Sequence, residues 1–122
     1  MATVLIALVA VFFLGMGVFG LLAPAALIRP FGISLTGPEA RTEVRAVYGG
    51  FGVATGVLLA FAAAGAPSLR PGAVLAVAAA LGGMAFGRLV ARAVDRPTGF
   101  YPSWLYFWVE AVAAALLVAS AG

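Results

Sequence analysis

The sequence predicts an all-α integral membrane protein, a single domain over residues 1–122 in which four closely packed, glycine-rich helices cross the bilayer as a bundle. Two observations carry that prediction. Of the 122 residues 65% are hydrophobic and 9% are charged, whereas a soluble domain carries about 25% charged residues. The chain therefore lacks the polar surface to cover a core in water. Its apolar residues also fall into four long runs punctuated by proline, glycine and arginine, and a run of about 20 apolar residues is enough for a helix to cross the hydrocarbon.

The first span is expected over residues 3–22, because Met1 to Ile28 contains no charge. Ala23-Pro24-Ala25 resembles the cleavage site of a secretory signal, but the run has no basic start and exceeds the usual apolar length of about 7–15 residues. A retained span is the expectation. From Ala23 to Pro38 the three prolines Pro24, Pro30 and Pro38 rule out a long helix. This stretch reads as a broken interfacial connection, with room for one amphipathic turn lying on the membrane.

The second span is placed at residues 41–64, in a helix starting near Glu39 behind Gly37-Pro38, where proline and an acidic first turn both suit a helix start. Gly65 to Gly72 carries two prolines and two glycines around Arg70 and reads as a short turn. The third span follows at residues 73–94 and ends at Asp95-Arg96-Pro97-Thr98-Gly99. The fourth is placed at residues 103–119. Phe100, Tyr101, Trp104, Tyr106, Phe107 and Trp108 crowd its start, as an interfacial aromatic belt does.

Small residues recur one turn apart within the spans: Gly15, Gly17 and Gly20 in the first, Gly52 and Gly56 in the second, Gly83 and Gly87 in the third. Such spacing lets helix backbones approach in lipid, where van der Waals contact stands in for the missing hydrophobic drive. The same glycines also suit a homo-oligomer face. Arginines gather on the side of the bundle carrying the connections 23–38 and 95–102, which predicts a multi-pass protein of the cell (inner) membrane with both termini outside the cytoplasm.

Missing residue types narrow the chemistry. Without His, Cys or Lys the chain offers no imidazole, thiol or Schiff-base catalysis and no usual zinc site. No cofactor and no metal ion is expected. The formal charge of +3 comes from seven arginines against Glu39, Glu43, Asp95 and Glu110. It forms no solvated basic face of the sort that binds nucleic acid, and anionic lipid headgroups at the helix ends suit it better.

The polar residues that remain converge. At 1.5 Å per residue, Arg88 lies roughly 10 Å inside the end of the third helix, and Glu110 roughly 9 Å inside the start of the fourth. An unpaired charge at that depth costs about 2.5–3.5 kcal/mol on insertion scales, so these neighbours are expected to pair. Arg88, Arg92 and Asp95 share a face at i, i+4 and i+7, with Arg92 and Asp95 in pairing range. Arg41, Arg45, Tyr48 and Gly52 share a face of the second helix, beside a stripe of Glu39 and Glu43.

Glu43, Arg45, Tyr48, Arg88, Arg92, Asp95 and Glu110 are thus directed toward one mouth of the bundle. Two readings compete: a buried ion-pair network that fixes helix register, and a polar pocket that holds the head of an amphiphile.

The string Glu43-Val44-Arg45-Ala46-Val47-Tyr48-Gly49-Gly50, followed by Gly87-Arg88, Asp95 and Glu110, resembles a family of small bacterial four-span membrane proteins, domain of unknown function 4345. The resemblance covers most of the chain and is most specific in Glu-x-Arg-x-x-Tyr-Gly-Gly. It implies a four-helix membrane bundle and singles out the same charged residues, but it brings no activity with it.

The function expected from the residues is therefore binding of a lipid, isoprenoid or quinone, with Arg45, Tyr48, Arg88, Arg92 and Asp95 orienting the ligand. Glu110 and Glu43 are the acid/base candidates for a proton-transfer step such as isomerisation. Two alternatives are a non-catalytic helper subunit packed against another membrane protein, and a small homodimeric proton-coupled transporter.

Overall fold

The computed structural model describes residues 2–65, 68–95 and 100–121, and every regular element among them is helical. Helix α1 is Ala2–Leu22, α2 is the short Pro24–Ile28, α3 is Pro38–Ala63, α4 is Arg70–Val94 and α5 is Leu105–Ser120. Four helices among the described residues are long and apolar enough to cross a membrane: α1, α3, α4, and α5 together with the irregular turn Phe100–Trp104 before it. Arg96 to Gly99, expected to close the third span, and Ala66-Pro67 of the turn before α4 lie outside the described residues.

Chain order is also neighbour order. α1 packs on α3, α3 on α4, α4 on α5, and α5 closes the ring against α1. Short connections between antiparallel neighbours favour this arrangement. Large apolar side chains such as Leu8, Val11, Phe61, Phe86 and Val118 point outward and exposed. An α-helix satisfies its own backbone groups, so such a surface suits contact with lipid tails.

The tightest contact is the seam between α1 and α3. A Cβ added at Gly17 would collide with Val53 N and come within 2.8 Å of Gly49 O. One at Gly52 would lie 2.8 Å from Gly17 Cα, and one at Gly56 only 3.0 Å from Ala10 O. Here glycine serves to bring two backbones into contact. The expectation that Gly83 and Gly87 do the same on α4 is not met, because nothing lies within 4 Å of a Cβ at either position. Spacing on a helix does not by itself say which side the partner occupies.

The well-packed half of the bundle lies toward the chain termini. Ile6, Leu59, Val74 and Leu117 are fully buried there, one from each long helix. Arg70 closes that end. Its Nε donates to Ala62 O at 3.0 Å, and its Nη2 donates to Ala63 O and Thr3 Oγ1 at 3.2 Å each. The last carbonyls of α3, which have no partner within their own helix, are thereby satisfied.

α4 starts at Arg70, three residues before the expected edge of the span, because Pro71 fits its first turn. α5 proper starts only at Leu105, since Tyr101 is extended (φ −100°, ψ 132°).

Candidate functional site

The opposite half of the bundle is built around Arg88 of α4 and Glu110 of α5. Both helices run uninterrupted through these positions, which brings the two side chains together from adjacent helices. Arg88 Nε donates to Glu110 Oε1 at 2.8 Å, and Nη2 donates to Oε2 at 3.1 Å. This two-pronged geometry is the strongest form of the arginine–carboxylate contact. Glu110 is 3% exposed, while the Arg88 side chain retains 25% exposure. The expected pairing of these residues is therefore present, and it is the ion pair found among the described residues.

Two aromatic rings also stand together on one side of the guanidinium. Arg88 Cζ lies 5.7 Å from the centre of the Phe31 ring and 5.8 Å from that of Tyr106, within reach of a cation–π contact. Tyr106 comes from the turn of α5 just before Glu110. Phe31 arrives from the interfacial connection: Pro24 starts α2, Arg29–Phe31 forms a tight 3-10 turn, and Gly32 stops it with φ at +75°, a backbone shape that favours glycine. The Phe31 and Tyr106 rings stand 5.5 Å apart, with Tyr101 at 6.5 Å from Tyr106. The connection between the first two spans thus supplies a wall of the site.

A cavity of about 660 Å³ opens beside the ion pair. Arg88, Glu110, Tyr48, Tyr101 and Tyr106 supply its polar groups, while α1, α2 and the 3-10 turn after α2 supply an apolar wall that includes Phe12, Met16, Leu27 and Phe31. Its size falls within the range of about 300–1,000 Å³ that holds a drug-sized molecule. Val11, Gly15 and Phe19 line it at i, i+4 and i+8 along α1, and Val11 and Phe19 are at the same time 66% and 45% exposed. The cavity is therefore open at the surface of the bundle along α1. A Cβ at Gly15 would meet nothing within 4 Å.

Tyr48 is aimed by an irregularity in α3. Residues Arg45–Gly50 form a π-helical turn, in which the N–H of Phe51 reaches back to Ala46 O. The wider turn shifts the register of the residues that follow it relative to a regular helix, and such turns are frequent at functional sites. It leaves Gly49 against α1 while Tyr48 lines the cavity. A second cavity of about 300 Å³ lies across Tyr48, Met84 and Arg88 and reaches Gly87, Ala91 and Ser103. Arg88 and Tyr48 form part of the walls of both.

Of the seven predicted site residues, the structure brings Tyr48, Arg88 and Glu110 together. Glu43, Arg45, Arg92 and Asp95 are exposed and line neither cavity. Arg45 is turned the other way, its Nε donating to Leu21 O at 3.0 Å at the end of α1. No ion pair joins Arg92 to Asp95 among the described residues, since both stand at the end of α4 where water competes for them. Phe31 and Tyr101 are site residues that sequence reasoning missed, because neither belongs to a periodic helix. In the sequence Tyr101 and Tyr106 both read as interfacial aromatics, and Tyr106 also as a neighbour of Glu110 on one face of the fourth span, without a place among the site residues.

Charge in the site balances among the described residues, with one guanidinium and one carboxylate held against each other and Arg29, Arg41, Arg45, Arg70 and Arg92 outside the cavity walls. Chemically the arrangement can donate hydrogen bonds from Arg88 and Tyr48 into a space that is otherwise apolar and aromatic. Comparison with curated proteins and with solved structures finds no match. The model of the family described as domain of unknown function (DUF4345) matches residues 1–120, and the chain accordingly belongs to that family.

Proposed function

We propose that this protein binds an amphiphilic small molecule of the bilayer, a lipid, isoprenoid or quinone, with its tail along α1 and its polar head at Arg88, Glu110 and Tyr48. The observation that carries this reading is the cavity of about 660 Å³ whose wall contains the Arg88–Glu110 pair at one end and aromatic and aliphatic side chains elsewhere. A pair serving register alone needs no space beside it, and a concave, mostly apolar pocket with few polar groups is the usual form of a ligand site. Proton-transfer chemistry at this site would rest on Glu110 alone, because Glu43 is exposed and outside the cavity walls. A proton-coupled transporter gains no support from a carboxylate whose two oxygens both accept from arginine.

Native mass spectrometry of protein released from its own membrane in mild detergent tests the proposal. Wild type should retain a small molecule of defined mass, and Gly15→Leu and Arg88→Ala should each lose it while still folded. A clean apo mass for wild type would count against the site.

One observation favours a second reading, a helper subunit docked against another membrane protein or a second copy. Gly82, Gly83 and Gly87 of α4 face open space, as a surface awaiting a neighbouring helix does. Co-purification of a partner that Gly83→Leu abolishes, with an empty cavity, would shift the assignment to it.

A further inference from the structure

Resting on the ligand-site reading above, we infer that the head group this site accepts is uncharged: a planar carbonyl such as a quinone or enone, not a phosphate, carboxylate or amine. The argument starts from what Arg88 already holds. Its Nε and one N–H of Nη2 are taken by the two oxygens of Glu110 at 2.8 and 3.1 Å, and Phe31 and Tyr106 stand together on one side of it. What remains for a ligand is the outer end of the guanidinium, Nη1 and the second N–H of Nη2, which have no partner among the described residues.

An anionic head would have to share a cation that Glu110 already neutralises. It would do so in a cavity whose walls carry no other positive side chain among the described residues, Arg45 and Arg92 lying outside them. Bringing a second negative charge toward one guanidinium in surroundings of low polarity is unfavourable. A cationic head meets the opposite obstacle: the Glu110 charge is already neutralised by Arg88, and the guanidinium itself is a like charge beside it.

An uncharged acceptor meets neither obstacle. A carbonyl oxygen takes hydrogen bonds from Arg88 and from the Tyr48 phenol without disturbing the pair. The walls near that point, formed by Phe31, Tyr48, Tyr101 and Tyr106, are aromatic and suit a flat head.

The test uses full-length protein in nanodiscs of zwitterionic lipid and four probes with matched ten- to twelve-carbon tails: decylubiquinone, dodecyl phosphate, laurate and dodecylamine. Direct binding to wild type, Gly15→Leu and Glu110→Gln is measured, with helicity and elution volume confirming that each variant is folded. Wild type should bind the quinone at least tenfold more tightly than any charged probe, and Gly15→Leu should lose that binding tenfold or more. Glu110→Gln removes the neutralising charge but keeps an acceptor oxygen, so the phosphate and carboxylate probes should gain tenfold or more relative to the quinone.

A wild type that prefers a charged probe, in a manner still abolished by Gly15→Leu, would leave the ligand site standing and overturn the uncharged-head assignment. So would a Glu110→Gln variant whose preferences are unchanged. Binding of no probe in a Gly15-sensitive way would remove the ligand site itself, and this inference with it.

Discussion

Helix α1 presents two long sides that are packed in opposite ways. Toward α3 its backbone touches that of its neighbour, and a single methyl group at Gly17 has nowhere to go. On its other side the stripe Val11, Gly15 and Phe19 borders about 660 Å³ of space, and a methyl group at Gly15 meets nothing. The contrast teaches that the unpacked side is not a fault of a loosely assembled bundle. A helix held along its length by backbone contact can leave a void on its far face without collapsing into it, because the seam resists the movement that would close the gap.

The comparison makes separable demands on variants. The largest effect is expected from Gly52→Leu, which drives a side chain into Gly17 Cα and Phe13 O. Backbone cannot give way as a flexible side chain does, so the loss should exceed about 3 kcal/mol and show as failure to recover monodisperse protein from detergent. If Gly52→Leu folds normally, the seam is not what holds α1.

Next in size is Arg88→Ala. Leaving the Glu110 carboxylate buried without its partner should cost about 3–5 kcal/mol, read as reduced resistance to denaturing detergent. Removing both charges in Arg88→Ala/Glu110→Ala should recover a substantial part of that loss. A double variant no better than the single one would show that the pair is not acting as a unit.

Arg70→Ala tests the dry end. Three donated hydrogen bonds are lost, but the side chain is only partly buried, which places the expected cost near the lower end of about 1.5–3 kcal/mol for bonds made by charged groups. Ligand retention should be unaffected, since Arg70 is at the other end of the bundle from the cavity, and a joint loss of stability and binding would argue that the two ends are coupled.

The smallest effect is expected from Gly15→Ala. With room for the methyl group and a better helix former in place, thermal stability should stay level or rise by up to about 1 kcal/mol. A marked destabilisation would mean that the space beside α1 is filled in the folded protein.

How far the sequence anticipated these features depends on how many solutions each residue had. Arg88 and Glu110 were legible because a charge well inside hydrocarbon has few ways to be satisfied, and helix arithmetic put a partner at matching depth. Glu43, Arg92 and Asp95 sit near helix ends, where water is an alternative, and there shared faces did not lead to shared contacts. The four spans were visible from composition, and their edges moved by only a few residues.

The π-helical turn at Arg45–Gly50 was not visible, because Gly49-Gly50 signals close approach without saying that the hydrogen bonds will skip one residue further. Phe31 and Tyr101 were hidden for a related reason: their positions are set by 3-10 and extended backbone, which leaves no period to read. Gly83-x-x-x-Gly87 repeats the pattern of Gly52-x-x-x-Gly56 and yet faces open space, since the pattern describes one surface and a contact requires two.

The arginine–glutamate pair also bears on how the chain enters the membrane. Its members are 22 residues apart on consecutive helices, so Arg88 leaves the ribosome before the carboxylate that will neutralise it has emerged. Until then α4 is a segment with an uncompensated charge about two turns from its end, disfavoured in hydrocarbon by up to about 2.5–3.5 kcal/mol on insertion scales. The last two helices are therefore expected to partition into lipid together, as a hairpin, with α4 held at the insertion machinery until Glu110 emerges. A chain cut after Val94 would be released into the bilayer less readily than its apolar length suggests.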